Sequence, residues 1–346
     1  MVSRNKNTDK EELSSSLISI NELKSLQKIL EKETGNELFW GDNSKFELKL
    51  LPLDIPTLDN ALDGGLAFDR VTMIYGEASA GKTLIALLAI KSAQKRNVSV
   101  AYVDVERVWV PEWAEKIGVK AEDVLVSRPR TGEDVWKIVM ALTKAKVGVI
   151  VVDSIAAIAS STSLDKDIDE MFEKRRVMDN AMLNQEGLKN AVATNDGSMI
   201  ILINQLRLTP TMYGNPESIP GGKNLSFAAW QKIRVKRGEW IEEGTGSAKA
   251  KVGYMLRVVA EKNKQGAPFQ EGEVPFFFTG SIDYLFSMVQ DALDRGIIVQ
   301  TGSMYSYNEL KIRGKEALLN EFRSSPSLEN QLSLDLAAPV PEVVLE

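Results

Sequence analysis

The chain contains no cysteine and no histidine in its 346 residues. Without cysteine there are no disulfides, no thiol nucleophile and no thiolate ligand for a metal. Without histidine there is no Ser-His-Asp triad, no imidazole general base and none of the usual zinc sites. Acid–base chemistry must therefore rest on carboxylates or lysine, and any metal ion should be an oxygen-ligated Mg²⁺.

Long apolar runs are also missing, because no stretch approaches the ~18 consecutive apolar residues of a transmembrane helix. Residues 1–12 are polar and charged, unlike a signal peptide. We therefore expect a cytoplasmic protein with no membrane partner. The net charge of −6 does not indicate a nucleic-acid partner, so that role would require a local basic patch.

A phosphate-binding pattern stands out between a β-branched run and an apolar helical stretch. It has the form G-x-x-x-x-G-K-[ST] and consists of Gly76, Glu77, Ala78, Ser79, Ala80, Gly81, Lys82 and Thr83. This strand–loop–helix context predicts a P-loop, whose backbone N–H groups and helix N-terminus attract an anion. Lys82 would reach the β- and γ-phosphates of a nucleotide, and Thr83 would hold Mg²⁺.

Apolar strands and amphipathic helices alternate after this loop. Strands are predicted near residues 71–75, 98–103, 124–126, 147–152 and 199–203, with helices at 82–95, 111–117, 133–144 and about 169–193. Almost wholly apolar strands of this kind predict an α/β fold with a parallel-rich central sheet covered by helices on both faces.

Four segments are predicted along the chain. Residues 1–50 form an N-terminal helical or oligomerisation region with a linker, and its helix could pack on its own core or on a neighbouring subunit. Residues 51–280 form the P-loop NTPase core, and residues 281–322 form a small C-terminal α/β lobe. Residues 323–346 are rich in Ser, Pro and Ala, which predicts a flexible tail.

Polar residues follow several of the predicted strands. Asp153 ends an apolar strand in the Walker B manner and would bind Mg²⁺ through water. Asp104 and Glu106 follow another strand, and in the absence of histidine one of them should orient the attacking water. Gln205 ends the last strand of the series and could sense the γ-phosphate for the loop that follows. The carboxyl ends of parallel strands form one ligand-binding edge, where these residues should meet.

Further segments resemble the RecA family of bacterial DNA strand-exchange ATPases over roughly residues 51–319. Beyond the P-loop and residues 151–158, the matching segments are 102–106, 203–207, 213–217 with 221–222, 262–264 with 267–269, and 305–307. The resemblance implies a RecA-like fold and an ATP- and Mg²⁺-dependent recombinase. Such a protein forms head-to-tail filaments on single-stranded DNA and pairs it with double-stranded DNA. The resemblance also implies that Glu106 is the catalytic carboxylate and that Gln205 couples nucleotide to DNA. In that arrangement Lys262 and Lys264 reach the neighbouring subunit's ATP.

The resemblance places two DNA-binding loops at about residues 160–172 and 206–222. The first is acidic, but Arg176 after it matches a basic position of the family. Candidate DNA contacts in the second loop are Arg207, Met212, Tyr213, Gly214 and Asn215. Residues 223–264 contain ten Lys or Arg, among them Arg257, and four Glu. Such a patch could follow DNA phosphates with a strong salt dependence.

Two features depart from the family pattern or extend it. Val110 replaces an Asp that contacts the adenine edge, which weakens the expected preference for ATP, whereas Trp113 keeps the aromatic position that stacks on the base. The tail contains a Q-L-x-L-x-L pattern, which is similar to the hexapeptide with which bacterial replication and repair proteins bind the sliding clamp. It consists of Gln331, Leu332, Ser333, Leu334, Asp335 and Leu336.

Two alternatives to the recombinase remain open at this point. The acidic first loop and the altered tail also suit a RecA-fold accessory or regulatory protein without strand-exchange activity. A hexameric DnaB- or KaiC-like ATPase would share the P-loop, but it lacks the Asn-Pro and Lys-Asn-Lys segments found here.

Overall fold

The computed structural model describes residues 17–158, 175–208, 217–220 and 223–337. The chain divides between residues 48 and 49 into two compact units. No helix in these described ranges is both long enough and apolar enough to cross a membrane.

The first unit contains helix α1 (Ile20–Thr34) and a 3₁₀ turn (Ser44–Phe46). A capping box starts α1, because the Ser19 hydroxyl accepts from the Glu22 N–H and the Glu22 carboxylate accepts from the Ser19 N–H at 2.6 Å. None of the residues of α1 is buried. The short strand β1 (Leu50–Leu51) lies at the start of the second unit.

The second unit begins with the alternating elements that carry the P-loop. They are α2 (Pro56–Ala61), β2 (Leu66–Ala67), β3 (Val71–Gly76), α3 (Lys82–Lys95), β4 (Val100–Asp104), α4 (Pro111–Ile117), β5 (Val124–Ser127), α5 (Gly132–Lys144), β6 (Val149–Asp153), α6 (Arg175–Ala193) and β7 (Met199–Gln205). The later elements are β8 (Arg207–Leu208), β9 (Glu217–Ser218), α7 (Lys223–Ala228), β10 (Gln231–Glu243), β11 (Ala250–Asn263) and β12 (Gln270–Phe277).

The central sheet has eight strands in the order β12-β11-β10-β3-β7-β6-β4-β5. The six strands from β10 to β5 are parallel to their neighbours, whereas β11 and β12 are added antiparallel. This mostly parallel sheet with helices confirms the predicted α/β class. The strand registers pair Gly76 with Gln205 and Asp104 with Asp153, so the polar strand ends lie at one edge.

Two apolar cores cover the sheet, one on each face. One core packs α3 and α4 against the strands, with Leu84, Leu88 and Ile117 buried. The other packs α5 and α6 against the opposite face, where Trp136 and Leu188 are buried. The strands are apolar on both faces because both faces are covered.

The C-terminal lobe has its own apolar core. Its elements are α8 (Tyr284–Asp294), β13 (Val299–Thr301), β14 (Met304–Tyr307), β15 (Leu310–Arg313), α9 (Lys315–Ser324) and α10 (Pro326–Ala337). Helix α10 corrects the expectation of a flexible tail for residues 326–337. Leu332 is fully buried in the lobe, and Leu328 and Leu336 pack against the same core. Proline at the first helical position suits a helix start, so Pro326 marks a helix and not a linker.

The clamp-binding hypothesis fails for the same reason. The hexapeptide lies within α10 as helix, and Leu332 points into the lobe. The Tyr307 hydroxyl donates to the Asp335 carboxylate at 2.7 Å, which fixes the helix further. An extended segment with free leucine side chains is therefore absent at residues 331–336.

Candidate active site

The P-loop connects the end of β3 to the first turn of α3, and two of its glycines are sterically required. A Cβ on Gly76 would lie 2.2 Å from the Val235 carbonyl oxygen, closer than any side chain tolerates. Gly81 has a φ of +102° just before α3, in a region that L side chains rarely adopt. These positions let the backbone turn sharply, so that the N-terminus of α3 opens at the loop.

Lys82 is held inside its own loop. Its Nζ donates to the Glu77 carbonyl oxygen at 2.6 Å, and only 9% of the residue is exposed. Burial lowers the pKa of Lys82, while the carboxylates of Asp153 and Glu106 act in the opposite direction. The ammonium is thus placed among the acidic groups of the site and next to the anion-binding loop.

Asp153 accepts two hydroxyl hydrogen bonds on the same oxygen. Thr83 Oγ1 donates to Oδ2 at 2.8 Å, and the Tyr102 hydroxyl donates to Oδ2 at 2.6 Å. Burial raises the pKa of Asp153, and the two hydroxyl donors oppose that rise. Tyr102 was not among the predicted site residues; its signal was a phenolic hydroxyl two residues before the Asp104 that ends the strand.

The donor set at this position fits Mg²⁺. Thr83 and Asp153 offer hard oxygen atoms, which Mg²⁺ prefers, and usually only one or two protein ligands accompany phosphate oxygens. Within the described ranges there is no group of three or more acidic, His or Cys side chains that could hold a metal by itself. The fold therefore brings together both residues predicted as metal ligands.

Glu106 and Gln205 meet directly across the sheet edge. Gln205 Nε2 donates to Glu106 Oε1 at 2.8 Å, and the Ser154 hydroxyl donates to the same oxygen. The N–H groups of Val105 and Glu106 both donate to the Asp153 carbonyl oxygen. The catalytic candidate, the sensor candidate and the Walker B strand therefore form one connected unit.

Asp104 has a different role from Glu106. Its carboxylate is fully buried and accepts from Arg128 Nε at 3.0 Å. It also accepts from the N–H groups of Val108 at 2.8 Å and Trp109 at 3.3 Å. A carboxylate with these partners fixes the segment after β4, so the geometry favours Glu106 as the water-orienting group.

The segment after β7 begins and ends on the sheet edge. The Leu206 N–H donates to the Gly76 carbonyl oxygen at 2.9 Å, and Asn204 Nδ2 donates to the Pro220 carbonyl oxygen at 2.8 Å. Between them, β8 pairs antiparallel with β9. Arg207 is exposed on this small ribbon. A side-chain amide in Asn204 therefore ties both ends of the segment together.

The remaining predicted DNA contacts are only partly placed. Met212, Tyr213, Gly214 and Asn215 lie outside the described residues, and so does the side chain of Arg176 in α6. Arg257 on β11 is paired with Glu273, with Nη2 and Oε2 2.9 Å apart. Other cations of the predicted basic patch are paired too; the pairs are Lys232–Glu261, Arg234–Glu217 and Lys249–Glu242.

Trp113 lies in the first turn of α4, after Val110, which caps that helix. Its ring packs edge-on against Phe276, with the centroids 6.3 Å apart, and it is partly buried on the α3 face of the sheet. Trp113 is thus on the same face as the helix that follows the P-loop.

Lys262 and Lys264 lie away from the P-loop of their own chain. Lys262 Nζ donates to the carbonyl oxygens of Ser226 and Phe227 at the end of α7, and burial lowers its pKa. The Lys264 N–H donates to the Trp230 carbonyl, and the Trp230 N–H donates to the Val71 carbonyl. Val71 is the first residue of β3 and Gly76 the last. At ~3.3 Å per residue, Lys264 therefore stands about 16 Å from Gly76 along the sheet.

A P-loop, a Thr–Asp pair and a carboxylate at one edge of a parallel-rich sheet are the parts of a P-loop NTPase. The model of the family described as RecA N-terminal domain matches residues 21–283. Proteins named Protein RecA from Thermus thermophilus, Thermus aquaticus and Levilactobacillus brevis are each 35% identical to the chain. The matches cover 93%, 94% and 85% of this chain and 95%, 97% and 78% of those proteins. The chain belongs to the RecA family.

Proposed function

We propose that the protein is a RecA-type recombinase, a DNA-dependent ATPase of the cytoplasm that uses ATP and Mg²⁺. It polymerises on single-stranded DNA and catalyses homologous pairing and strand exchange with double-stranded DNA. The observation that carries the proposal is the 2.8 Å hydrogen bond between Gln205 and Glu106. It joins the carboxylate that we assign to catalysis to the residue from which the 206–222 segment departs.

Hydrolysis in this proposal relies on groups that the chain already holds in place. The P-loop N–H groups and Lys82 bind the phosphates, and Glu106 accepts the proton of the attacking water. Mg²⁺, held by Thr83 and Asp153, neutralises the phosphate charge when bound. Gln205 exchanges its bond with Glu106 for a contact near the γ-phosphate and thereby repositions Arg207 and the segment beyond it.

Lys262 and Lys264 complete the site of a neighbouring subunit in this proposal. Lys264 stands about 16 Å from its own Gly76 along the sheet, which is too far to serve its own P-loop. The Lys262 ammonium is bound to the carbonyl oxygens of Ser226 and Phe227, which also supports the proposal. If the lysines of one subunit complete the active site of the next, the contact joins two different surfaces and is head-to-tail. When such a contact is repeated without closing into a ring, the subunits form a helical filament.

A RecA-fold accessory ATPase without strand exchange is the second candidate. The pairing of Arg257 with Glu273, and of Arg234 with Glu217, favours it, because these cations are already neutralised by carboxylates. DNA phosphates would have to displace those partners, so a weaker grip on DNA is expected than from free cations.

One measurement separates the two candidates. ATP hydrolysis is measured with and without single-stranded DNA, and joint-molecule formation is followed with homologous duplex. The recombinase shows DNA-stimulated hydrolysis and joint molecules, both abolished by Lys82→Ala. DNA-stimulated hydrolysis without joint molecules would instead identify the accessory protein, and hydrolysis indifferent to DNA would contradict both.

The role of Glu106 is tested by Glu106→Gln. Removing a general base should slow turnover about 10²–10⁴-fold. Nucleotide binding should persist, because Gln keeps an oxygen that can accept from Gln205 and Ser154. Asp104→Asn is the matched comparison: it should lower the free energy of unfolding but slow turnover less than Glu106→Gln does, since the buried Asp104 carboxylate pairs with Arg128 and loop amides. Normal turnover by Glu106→Gln would assign the base elsewhere.

A further inference from the structure

The returning arm of the 206–222 segment is held by an ion pair that the proposed mechanism does not use. Glu217 in β9 accepts from both terminal nitrogens of Arg234 in β10, at 2.9 Å and 2.5 Å. The side chains are only 20% and 29% exposed, for Arg234 and Glu217 respectively. A bidentate, largely desolvated pair of this kind is a strong contact, and it fixes the relative orientation of the guanidinium and the carboxylate.

The pair continues toward the strand that leads into the P-loop. Arg234 Nη1 lies 3.9 Å from Glu261 Oε1, and Lys232 Nζ donates to Glu261 Oε2 at 2.7 Å. Lys232 Nζ in turn lies 4.5 Å from the centre of the Tyr75 ring. Tyr75 directly precedes Gly76, the first residue of the P-loop.

The two arms of the segment therefore have separate anchors. The departing arm is anchored by Gln205 on Glu106, at the catalytic carboxylate. The returning arm is anchored by Glu217 on Arg234. From Arg234 the contacts continue through Glu261 and Lys232 to the ring of Tyr75 on β3. The backbone alone does not supply this second link, since β8 and β9 pair only with each other.

We propose that Arg234 is a positioning residue that holds the returning arm, Glu217–Ser218, against the sheet. Through Glu261 it ties that arm to the strand entering the P-loop. The inference rests on the proposed function at one point, because it assumes that the 206–222 segment responds to DNA. Arg234 acts through Glu217, and it does not act as a phosphate contact.

Removing either partner should have the same effect, although the partners carry opposite charges. Arg234→Gln and Glu217→Gln should each raise the concentration of single-stranded DNA needed for half-maximal ATPase stimulation, by about tenfold. Hydrolysis without DNA should be unchanged in both. The effect of the double variant should be smaller than the sum of the two single effects, because both substitutions break the same pair. Arg234→Lys, which keeps the charge but not the fork, should lie between the wild type and Arg234→Gln.

A second readout needs no DNA. Hydrogen exchange of the amides at residues 207–208 and 217–219 should be faster in both single variants than in the wild type, with equal exchange in β6 as the internal reference. Lys236→Gln is the matched control: it removes a cation two residues along the same strand and should leave this exchange unaltered.

The outcomes separate the inference from the proposed function. If the wild type shows no DNA stimulation, the proposed function fails, and faster exchange in the variants still supports the anchor. Unchanged exchange overturns the inference. So does weaker DNA binding by Arg234→Gln together with tighter binding by Glu217→Gln, which is the result expected if Arg234 contacted phosphates directly.

Discussion

At the scale of single residues, the hydroxyl of Tyr102 controls which oxygen of Asp153 is free. Both hydroxyl donors use Oδ2, so Oδ1 stays available to a metal-bound water. Tyr102 is almost fully buried, and its hydroxyl donates to the Walker B carboxylate. We therefore regard it as a positioning group for the Mg²⁺ site.

Tyr102→Phe tests that role without changing the shape of the core. Losing one hydrogen bond to a charged group costs about 1.5–3 kcal/mol. We expect the Mg²⁺ concentration that half-saturates binding of a fluorescent ATP analogue to rise roughly tenfold or more. Binding in EDTA should be unchanged. Tyr305→Phe in the C-terminal lobe is the control, and an unaltered Mg²⁺ requirement in Tyr102→Phe would contradict the assignment.

The residue scale also shows where the sequence was insufficient. The spacing after β4 left Asp104 and Glu106 equally placed, because both follow the same strand. Only the fold reveals that Arg128, 24 positions further along the chain, pairs with Asp104. The residues next to Asp104 in the sequence do not predict this contact. The P-loop and Walker B residues, by contrast, were predicted from the patterns at the ends of their strands.

At the scale of elements, α10 illustrates a composition that misleads. Ser, Pro and Ala suggested a flexible tail, but leucine at positions 328, 332 and 336 recurs at the spacing of one helix face. The apolar partners that select this face lie on α8, α9 and β14, which sequence inspection does not bring together. The alternating strands and helices of the core, by contrast, were predictable because the pattern of apolar residues within each segment indicates its secondary structure.

A pair of leucine substitutions measures the contribution of α10. Leu332→Ala should lower the free energy of unfolding by about 2–5 kcal/mol, since the side chain is fully buried. Leu334→Ala, on a side chain that is 66% exposed, should change it by less than about 0.5 kcal/mol. Urea unfolding of both variants gives the comparison, and equal small effects would show that the helix does not dock.

The start of α2 carries a pH-dependent contribution. Asp59 accepts from the Leu53 N–H at 2.6 Å and the Ile55 N–H at 3.1 Å, yet burial raises its pKa to about 6. The folded chain then binds this proton more tightly than the unfolded chain, whose Asp titrates near 3.8. The contribution of Asp59 to the free energy of unfolding therefore falls as pH rises through that window and levels off above it.

Asp59→Asn isolates this contribution. Between about pH 5 and pH 8, the wild type should lose roughly 1 kcal/mol of unfolding free energy relative to Asp59→Asn. Urea titrations of both proteins across that range provide the measurement. Curves that stay parallel would mean that Asp59 titrates at its ordinary pKa in the folded chain.

At the scale of the whole molecule, the proposed hydrolytic site draws on two distant parts of the sheet. The P-loop, Glu106 and Gln205 are together in one chain, whereas Lys264 stands at the other end of β3. The K-N-K segment was visible in the sequence, but its distance from the P-loop depends on β11 running antiparallel to β10. That direction is a property of the completed sheet, so only the structure could supply it.

Mixing two inactive variants tests whether sites are completed between subunits. Lys82→Ala lacks the P-loop lysine and Lys264→Ala lacks the distant one, so each should hydrolyse ATP poorly alone. In an equal mixture, about a quarter of the subunit contacts join an intact P-loop to an intact Lys264 if assembly is random and head-to-tail. We expect the mixture to regain activity toward that fraction of the wild-type rate, and only at concentrations where light scattering shows assembly.

The control mixture contains Lys82→Ala and Lys311→Ala, a substitution of an exposed residue on β15 of the C-terminal lobe. It should hydrolyse ATP at half the wild-type rate. A mixture of the two inactive variants that stays inactive while it assembles normally would show that each chain uses its own lysine.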